Sequence, residues 1–343
     1  MPPASSGGSA VHGIALSIVV IARNEEANIA RCIESILHGI DDLHPEIILV
    51  DSASTDKTVE IASRYPITIL QINSGAGLSP SAGRYVGARH AKGDFILFLD
   101  ADMALIDGWL AAAMEMMTDS SIAAVGGRLY RVFPGEEFTL NHPDTHPLGQ
   151  VVSLSGAALY RADALAASGG FNPYVKGEEE RELGHRMVAK EYTMLRIEVP
   201  MVYHMDKHRT ASEVDEKTGY SQGIGQVLRA YTGSKVAETV LQRNSQAILS
   251  ALIFVGTISV ALLLFLFSGN VVRVALLMVG VAAILWLRIK GQLWKLPLFA
   301  RSRVLLLFHI FLGWLRGIPD PSTYQVSISL VRHQANSSQN WTG

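Results

Sequence analysis

The 343-residue sequence predicts an α/β fold, a doubly wound, mostly parallel sheet followed by C-terminal transmembrane helices. Three observations predict it. Short β-branched runs alternate with helical patterns over the first two thirds of the chain, as repeated strand-helix-strand units do. Those runs are apolar throughout, the pattern of strands buried on both faces. No charged residue occurs from Asn244 to Val272, which exceeds the roughly 20 residues that cross a bilayer core.

Residues 1–13, MPPASSGGSAVHG, lack a basic stretch leading into an apolar one and read as a flexible tail with no signal peptide. Residues 14–215 then read as one cytoplasmic α/β domain. ALSIVVIA is its first strand, and EEANIARCIESILHGI a helix with Ile29, Ile33, Ile36 and Leu37 on one side. EIILVD is a second strand, followed by a helix carrying Val59, Ile61 and Ala62 that Ser54 or Thr55 would cap. ITILQI is a third strand, SAGRYVGARHAKG a helix closed by Gly93, and DFILFLD a fourth strand. Met114, Met116 and Met117 read as core filling.

Beyond the α/β domain, residues 216–245 read as an interfacial amphipathic region with Ile224, Val227, Leu228 and Tyr231 on its apolar side. Residues 246–289 read as two transmembrane helices in a hairpin, with Arg273 and Arg288 placed to snorkel at the ends of the second. Lys290, Lys295, Arg301 and Arg303, with Arg288 just ahead of them, make 290–303 a basic loop, cytoplasmic by the positive-inside rule. Residues 304–318 are a third apolar segment that is interfacial, re-entrant or a short span, and 319–343 read as a C-terminal tail.

Composition narrows the function. Hydrophobic residues make up 49% of the chain, and the mean hydropathy of +0.24 is high for an ordinary soluble enzyme. A net charge of −2 argues against a nucleic-acid partner, because such proteins carry a basic excess. A lone cysteine, Cys32, rules out an intramolecular disulfide framework and a Cys-based zinc site, and fits a reducing compartment.

In a doubly wound sheet, ligands bind beyond the carboxyl ends of the strands. ARNEE (22–26), DSASTD (51–56) and DAD (100–102) occupy those places. In an extended stretch Asp100 and Asp102 point to one side, with Ala101 to the other. Two such carboxylates suit Mg²⁺ or Mn²⁺ held jointly with substrate phosphates. The plainer reading is that they end the strand or cap a helix starting near Ile106.

The runs VVIARNEEANIARCIESIL, ILVDSASTDKT, AGRYVGARHAKGDFILFLDAD and GGFNPYVKGEEEREL resemble, in order and spacing, the family 2 glycosyltransferases of the GT-A fold, over about residues 14–210. The resemblance implies a nucleotide-sugar donor, UDP- or GDP-linked, contacted by Ala22, Arg23, Glu25, Asp51, Ser52, Arg84, Asp100 and Ala101. It implies Mg²⁺ or Mn²⁺ on Asp102 and Asp100, with His204 as a candidate further ligand; His208 lies nearby. Two departures leave the base open. The family's aromatic after the first strand is absent, so Arg23 would stack on the base in its place. The second carboxylate of the usual Asp-Asp pair is Ser52. On the acceptor side, the register of Glu182 and Leu183 sets Glu180 at the family's catalytic base, with Glu179 beside it. Acidic residues also gather in first helical turns for dipole reasons, and Glu182 and Arg186 are spaced to pair. QVLRAY (226–231) faintly resembles an element of processive synthases, without its Trp.

These features predict a multi-pass inner-membrane, inverting glycosyltransferase whose cytoplasmic domain moves a sugar to a lipid-linked saccharide or glycolipid. Expected partners are the donor, the lipid-linked acceptor and membrane lipids, with a homo-oligomer left open. A polyprenyl-phosphate glycosyltransferase is the alternative within the class, and a non-catalytic nucleotide-sugar-binding scaffold the alternative outside it.

Overall fold

The computed structural model describes residues 16–39, 44–73, 78–206, 221–267, 269, 280 and 296–333. The expected tail at 1–13, His208, Arg273, Arg288, Lys290 and Lys295 fall outside the described residues, as does the second apolar span apart from Gly280.

Two compact units divide the chain. The first draws on Met1–Tyr174, Glu179–His208 and Asp320–Gly343, the second on Val175–Glu178 and Arg209–Pro319. In the first unit the order is β1 (Leu16–Ala22), α1 (Ile29–Gly39), β2 (Glu46–Asp51), α2 (Thr58–Ala62), β3 (Thr68–Ile72), α3 (Pro80–His90), β4 (Phe95–Asp100), β5 (Met103–Leu105) and α4 (Trp109–Met116). Next come β6 (Ile122–Val132), β7 (Gly149–Gln150), β8 (Ala158–Arg161), α5 (Ala162–Ala167), α6 (Glu179–Ala189) and β9 (Thr193–Met205), with β10 (Ile328–Arg332) near the C-terminus.

All ten strands join one sheet in the order β10-β3-β2-β1-β4-β8-β6-β9-β5, with β7 beside β9. The segment β3-β2-β1-β4 is parallel throughout. Beyond β4 the sheet turns mixed: β8 is antiparallel to β4 and to β6, β6 runs parallel to β9, and β5 and β7 oppose β9. The expectation of a mostly parallel sheet therefore holds only for the first four strands. The remainder sets the long β6 and β9 beside β8, β5 and β7 out of chain order, a pairing that no local pattern in the sequence announces.

Burial on both faces is as the apolar runs predict. Leu16, Ile18, Val20 and Ala22 pack into one core, while Val19 and Ile21 pack into the other. The second and fourth strands divide in the same way, with Leu49, Leu97 and Leu99 on the first side and Ile48, Val50, Ile96 and Phe98 on the second. Ile29, Cys32, Ile33 and Ile36 line the buried side of α1. Met117 is buried, and Met114 and Met116 pack against the same core.

Several expected boundaries shift. Ser54 and Thr55 do not cap α2, which starts at Thr58 with its N–H donating to Asp56 Oδ1 at 3.0 Å. The hydroxyl of Ser54 is drawn to Asp51 and the N–H of Thr55 to Asn24 instead. Helix α3 is capped by Ser79, which accepts from Ala82 N–H at 3.1 Å, and ends at His90, before Gly93. Gly93 serves a close approach: a Cβ there would lie 2.5 Å from Ser17 N. The C-terminal segment read as a tail supplies β10, which covers the edge of β3. Its Tyr324 packs edge-on against Tyr85 and Tyr174, at 5.7 and 5.5 Å.

The second unit contains α7 (Gln222–Ala230), α8 (Lys235–Phe267) and α9 (Leu296–Arg316). The apolar side of α7 is covered by protein, not left for a membrane surface: Ile224 and Val227 pack with Val240, and Leu228, Tyr231 and Ile310 close around them. Helix α8 runs unbroken for 33 residues and is long and apolar enough to cross a membrane. It begins ahead of the expected span and carries Arg243, which pairs with Glu178 at 3.5 Å. The third apolar segment belongs to α9, a 21-residue helix. Gln226 and Arg229 are structural here. Gln226 bridges Lys176 N–H and Gly317 C=O, and Arg229 donates to Trp314 C=O at 2.9 Å while lying over that ring.

Candidate active site

Parallel register gathers three loops distant in sequence. Ala22 is level with Asp51, and Ile21 with Asp100, so the carboxyl ends of β1, β2 and β4 lie side by side. Backbone bonds continue the alignment past the strands, from Ser52 N–H to Ala22 C=O at 2.8 Å and from Ala101 N–H to Ile21 C=O at 3.0 Å.

The first two loops are laced together. Asn24 N–H donates to Ser54 Oγ at 2.9 Å, Thr55 N–H to Asn24 Oδ1 at 2.9 Å, and Glu25 N–H to Thr58 Oγ1 at 2.8 Å. Glu25 Oε2 also receives Asn28 Nδ2–H at 2.8 Å, and its C=O accepts Ile29 N–H at 2.9 Å just ahead of α1. Ala53 holds φ of 55°, a left-handed conformation that costs an L-residue about 1–2 kcal/mol. Arg23 is exposed at the rim, while Asp51 and Ser52 are buried.

Beyond β4, Asp100 and Asp102 diverge toward different partners. Asp102 faces His204, Oδ2 to Nε2 at 3.5 Å, because β5 and β9 pair in a register that brings Met103 opposite His204. Burial works against the His204 imidazolium, but the hydrogen bond and charge of Asp102, with the charges of Asp100 and Asp206, hold its pKa above the ordinary value. Neither aspartate caps a helix: α4 begins after Gly108, which holds φ of 81° and gives no side-chain bond.

Arg84 is the hub. Projecting from α3 and only 2% exposed, its guanidinium meets Asp100 at 2.8 Å, Glu179 at 3.0 Å and Glu180 at 3.2 Å. Burial alone would lower its pKa, but the three carboxylates raise it and keep the cation in place. Glu179 and Glu180 open α6, where the helix dipole also favours negative charge. Glu179 is withdrawn from solvent and Glu180 is partly open. Burial, followed by the neighbouring charge of Glu180, pushes Glu179 above the usual carboxylate range even though Arg84 pulls the other way. Burial does the same to Asp100. The expected pairing of Glu182 with Arg186 is present at 2.7 Å.

Gly156 completes this side of the site and was not legible in the sequence. A Cβ there would lie 2.0 Å from Asp100 Oδ2 and 3.2 Å from Arg84 Nη2, so the backbone fits against the carboxylate only as glycine. Cys32 is a core residue whose thiol lies 3.9 Å from Asp100 C=O.

Residues 17–165 match the family model described as glycosyl transferase family 2. Those residues carry a family 2 glycosyltransferase domain. The family 2 domain shows 28% identity over 117 residues to a dolichol-phosphate mannosyltransferase of Pyrococcus furiosus, covering 33% of each chain. It shows 28% identity over 182 residues to a poly(ribitol-phosphate) beta-glucosyltransferase of Bacillus spizizenii, 48% of this chain and 28% of the relative. A pre-mycofactocin glycosyltransferase of Mycobacterium tuberculosis is 26% identical over 212 residues, 57% of this chain and 43% of the relative. The chain thus spans less than half the length of each of these relatives. In fold, it is similar to the mannosyltransferase PcManGT from Pyrobaculum calidifontis in complex with GDP-Man and Mn²⁺, with a TM-score of 0.55 and 16% identity over 88% of this chain and 86% of that one. It is also similar to Staphylococcus aureus TarS in complex with UDP-GlcNAc, at 0.52 and 17% over 67% and 72%.

Among the described residues, no three His, Cys, Asp or Glu side chains converge as a ready-made metal site. The donors that are present, Asp100 and Asp102 with His204 beyond, are oxygen-rich and partly open. That set fits an ion of the Mg²⁺ or Mn²⁺ type, which keeps waters and takes substrate phosphates beside one or two carboxylates.

Proposed function

We propose that the protein is a membrane-anchored, inverting glycosyltransferase that moves a sugar from a UDP- or GDP-linked donor to a lipid-linked saccharide or glycolipid. The observation that carries the reading is the single guanidinium of Arg84 shared by Asp100, at the donor end, and Glu179 and Glu180, at the acceptor end.

The donor diphosphate would lie beyond β4, with Asp102 and Asp100 holding Mg²⁺ or Mn²⁺ and His204 beside them. That ion, when bound, supplies positive charge against the leaving diphosphate. Arg23, exposed at the rim of the first loop, offers a flat cation to stack on the base. Glu180 is the general base, taking the proton of an acceptor hydroxyl as it attacks the sugar from the face opposite the leaving group. Its partly open carboxylate suits that role, whereas Glu179 is withdrawn against Arg84. Helix α8, long and apolar enough to cross a membrane, supports a membrane anchor; in this proposal the family 2 domain lies on the cytoplasmic side of the inner membrane, where tethering would raise the effective concentration of a lipid-linked acceptor. The Glu179–Glu180 pair favours a hydroxyl acceptor over an already ionised polyprenyl phosphate.

The test is a panel of nucleotide sugars incubated with the purified full-length protein, Mn²⁺ and membrane lipid extract, scoring nucleotide release and glycolipid product. One donor yielding both is the expected result. Binding without turnover for every donor would support a scaffold, and absence of any binding would remove the reading.

A further inference from the structure

Tyr160 stands on β8, level with Ile96 of β4 on one side and Ala124 of β6 on the other. It is 1% exposed, and among the described residues its hydroxyl has no hydrogen-bond partner. A hydroxyl buried in that way costs stability, so phenylalanine would suit the place better unless the oxygen serves a further purpose.

The ring is held in place. Phe98 and Phe171 pack edge-on against it at 5.8 and 6.0 Å, and Phe171 lies in turn against the Arg84 guanidinium at 5.6 Å. The phenol is therefore fixed in relation to the cation that gathers Asp100, Glu179 and Glu180, and the charges of Glu180 and Arg84 both act on it. Burial, followed by the negative charge of Glu180, pushes its pKa up although Arg84 pulls it down. It keeps its proton and is a donor, not a base.

Glu180 is the carboxylate that Arg84 holds at the greatest distance, 3.2 Å against 2.8 and 3.0 Å. It is also the group whose charge changes in the proposed reaction. The acceptor O–H bond breaks as its oxygen bonds to the sugar carbon and the bond from that carbon to the diphosphate breaks, and the proton goes to Glu180. The neutral acid so formed loses most of its attraction to a guanidinium. A phenol suits both states, because it donates to the carboxylate and its oxygen can accept from the acid.

From this geometry we infer that Tyr160 is a positioning residue for the base, its hydroxyl donating to Glu180 while the acceptor is deprotonated and transferring no proton itself. The inference rests on the reading of Glu180 as general base and adds a residue that none of the sequence motifs contains.

The experiment compares full-length wild type, Tyr160→Phe, Glu180→Gln and the double variant. It measures transfer from the nucleotide sugar that the wild type turns over to membrane lipid extract, donor affinity by calorimetry with Mn²⁺, and urea unfolding. Tyr160→Phe should lower kcat about 10- to 100-fold, the scale of a hydrogen bond to a charged group, and leave donor affinity unchanged. Its urea midpoint should equal or exceed that of the wild type, since an unpartnered buried oxygen is gone. The double variant should be no slower than Glu180→Gln, because Tyr160 acts through that residue. Unchanged kcat in Tyr160→Phe beside a slow Glu180→Gln would overturn the inference and leave the base reading standing. A loss of donor affinity as large as the loss of kcat, or losses that multiply in the double variant, would overturn it too. Wild-type turnover by Glu180→Gln would overturn both.

Discussion

Arg84 Nη1 stands 3.0 Å from Glu179 Oε1, and both side chains are withdrawn from solvent. The same guanidinium continues to Asp100 and Glu180, so one cation on α3 ties the end of β4 to the first turn of α6, with Glu179 lying 95 residues from Arg84 in sequence. Removing it would leave three carboxyl groups facing one another without a cation between them. Breaking a buried pair from one side costs about 3–5 kcal/mol, so Arg84→Ala should lower stability by that order in urea unfolding. Arg84→Lys should recover only part, because an ammonium lacks the planar fork that serves several carboxylates at once. A wild-type midpoint in Arg84→Ala would show that the cluster does not support the fold.

Asp102→Asn should abolish Mn²⁺-dependent donor binding while leaving thermal unfolding near that of the wild type. The residue is partly exposed and its side chain faces His204, not the core. Calorimetry with unchanged donor affinity would remove the metal handle.

Much of this site was legible in the sequence. The carboxyl ends of β1, β2 and β4 could be located because each strand is an apolar run that stops at a polar residue, and the register of Ala22, Asp51 and Asp100 follows from parallel pairing. Arg84 was legible as a basic position but not as the hub, since its partners come from β4 and from α6 and only tertiary packing unites them with α3. The mixed half of the sheet was hidden by short strands such as Met103–Leu105, and β10 by its distance in sequence from β3. The membrane-facing reading of Ile224 and Val227 failed because an apolar helical face looks the same whether lipid or protein covers it.

Stability in the absence of metal should fall as pH rises. Burial lifts Glu179 from an ordinary 4.5 up to about 8 and Asp100 from 3.8 to about 7. The folded chain therefore holds protons that the unfolded chain has released. Their contribution is complete below about pH 4 and is lost as pH climbs through those raised values. Urea midpoints of the wild type should decline from about pH 5 to about pH 9, and Glu179→Gln should flatten the decline. Parallel profiles for the two proteins would contradict it.

Gly156→Ala should impair both donor binding and stability. The added Cβ collides with Asp100 Oδ2 at 2.0 Å, and the side chain that must yield is one of the two proposed metal ligands. The expected outcome is a donor affinity at least about tenfold weaker with Mn²⁺, while the unfolding free energy falls by the roughly 1–3 kcal/mol typical of overpacking. Wild-type affinity would mean that Asp100 is not needed in its present position.

The measurement closest to the central claim separates donor binding from sugar transfer in Glu180→Gln and Glu179→Gln. A general base contributes about 10²- to 10⁴-fold to rate and little to donor affinity. Glu180→Gln should therefore bind the donor as the wild type does and lose about that much turnover, while Glu179→Gln loses clearly less and is chiefly less stable. Near wild-type transfer by Glu180→Gln, with the loss in Glu179→Gln instead, would contradict the assignment of the base; full turnover in both would point to an acceptor phosphate that needs no base.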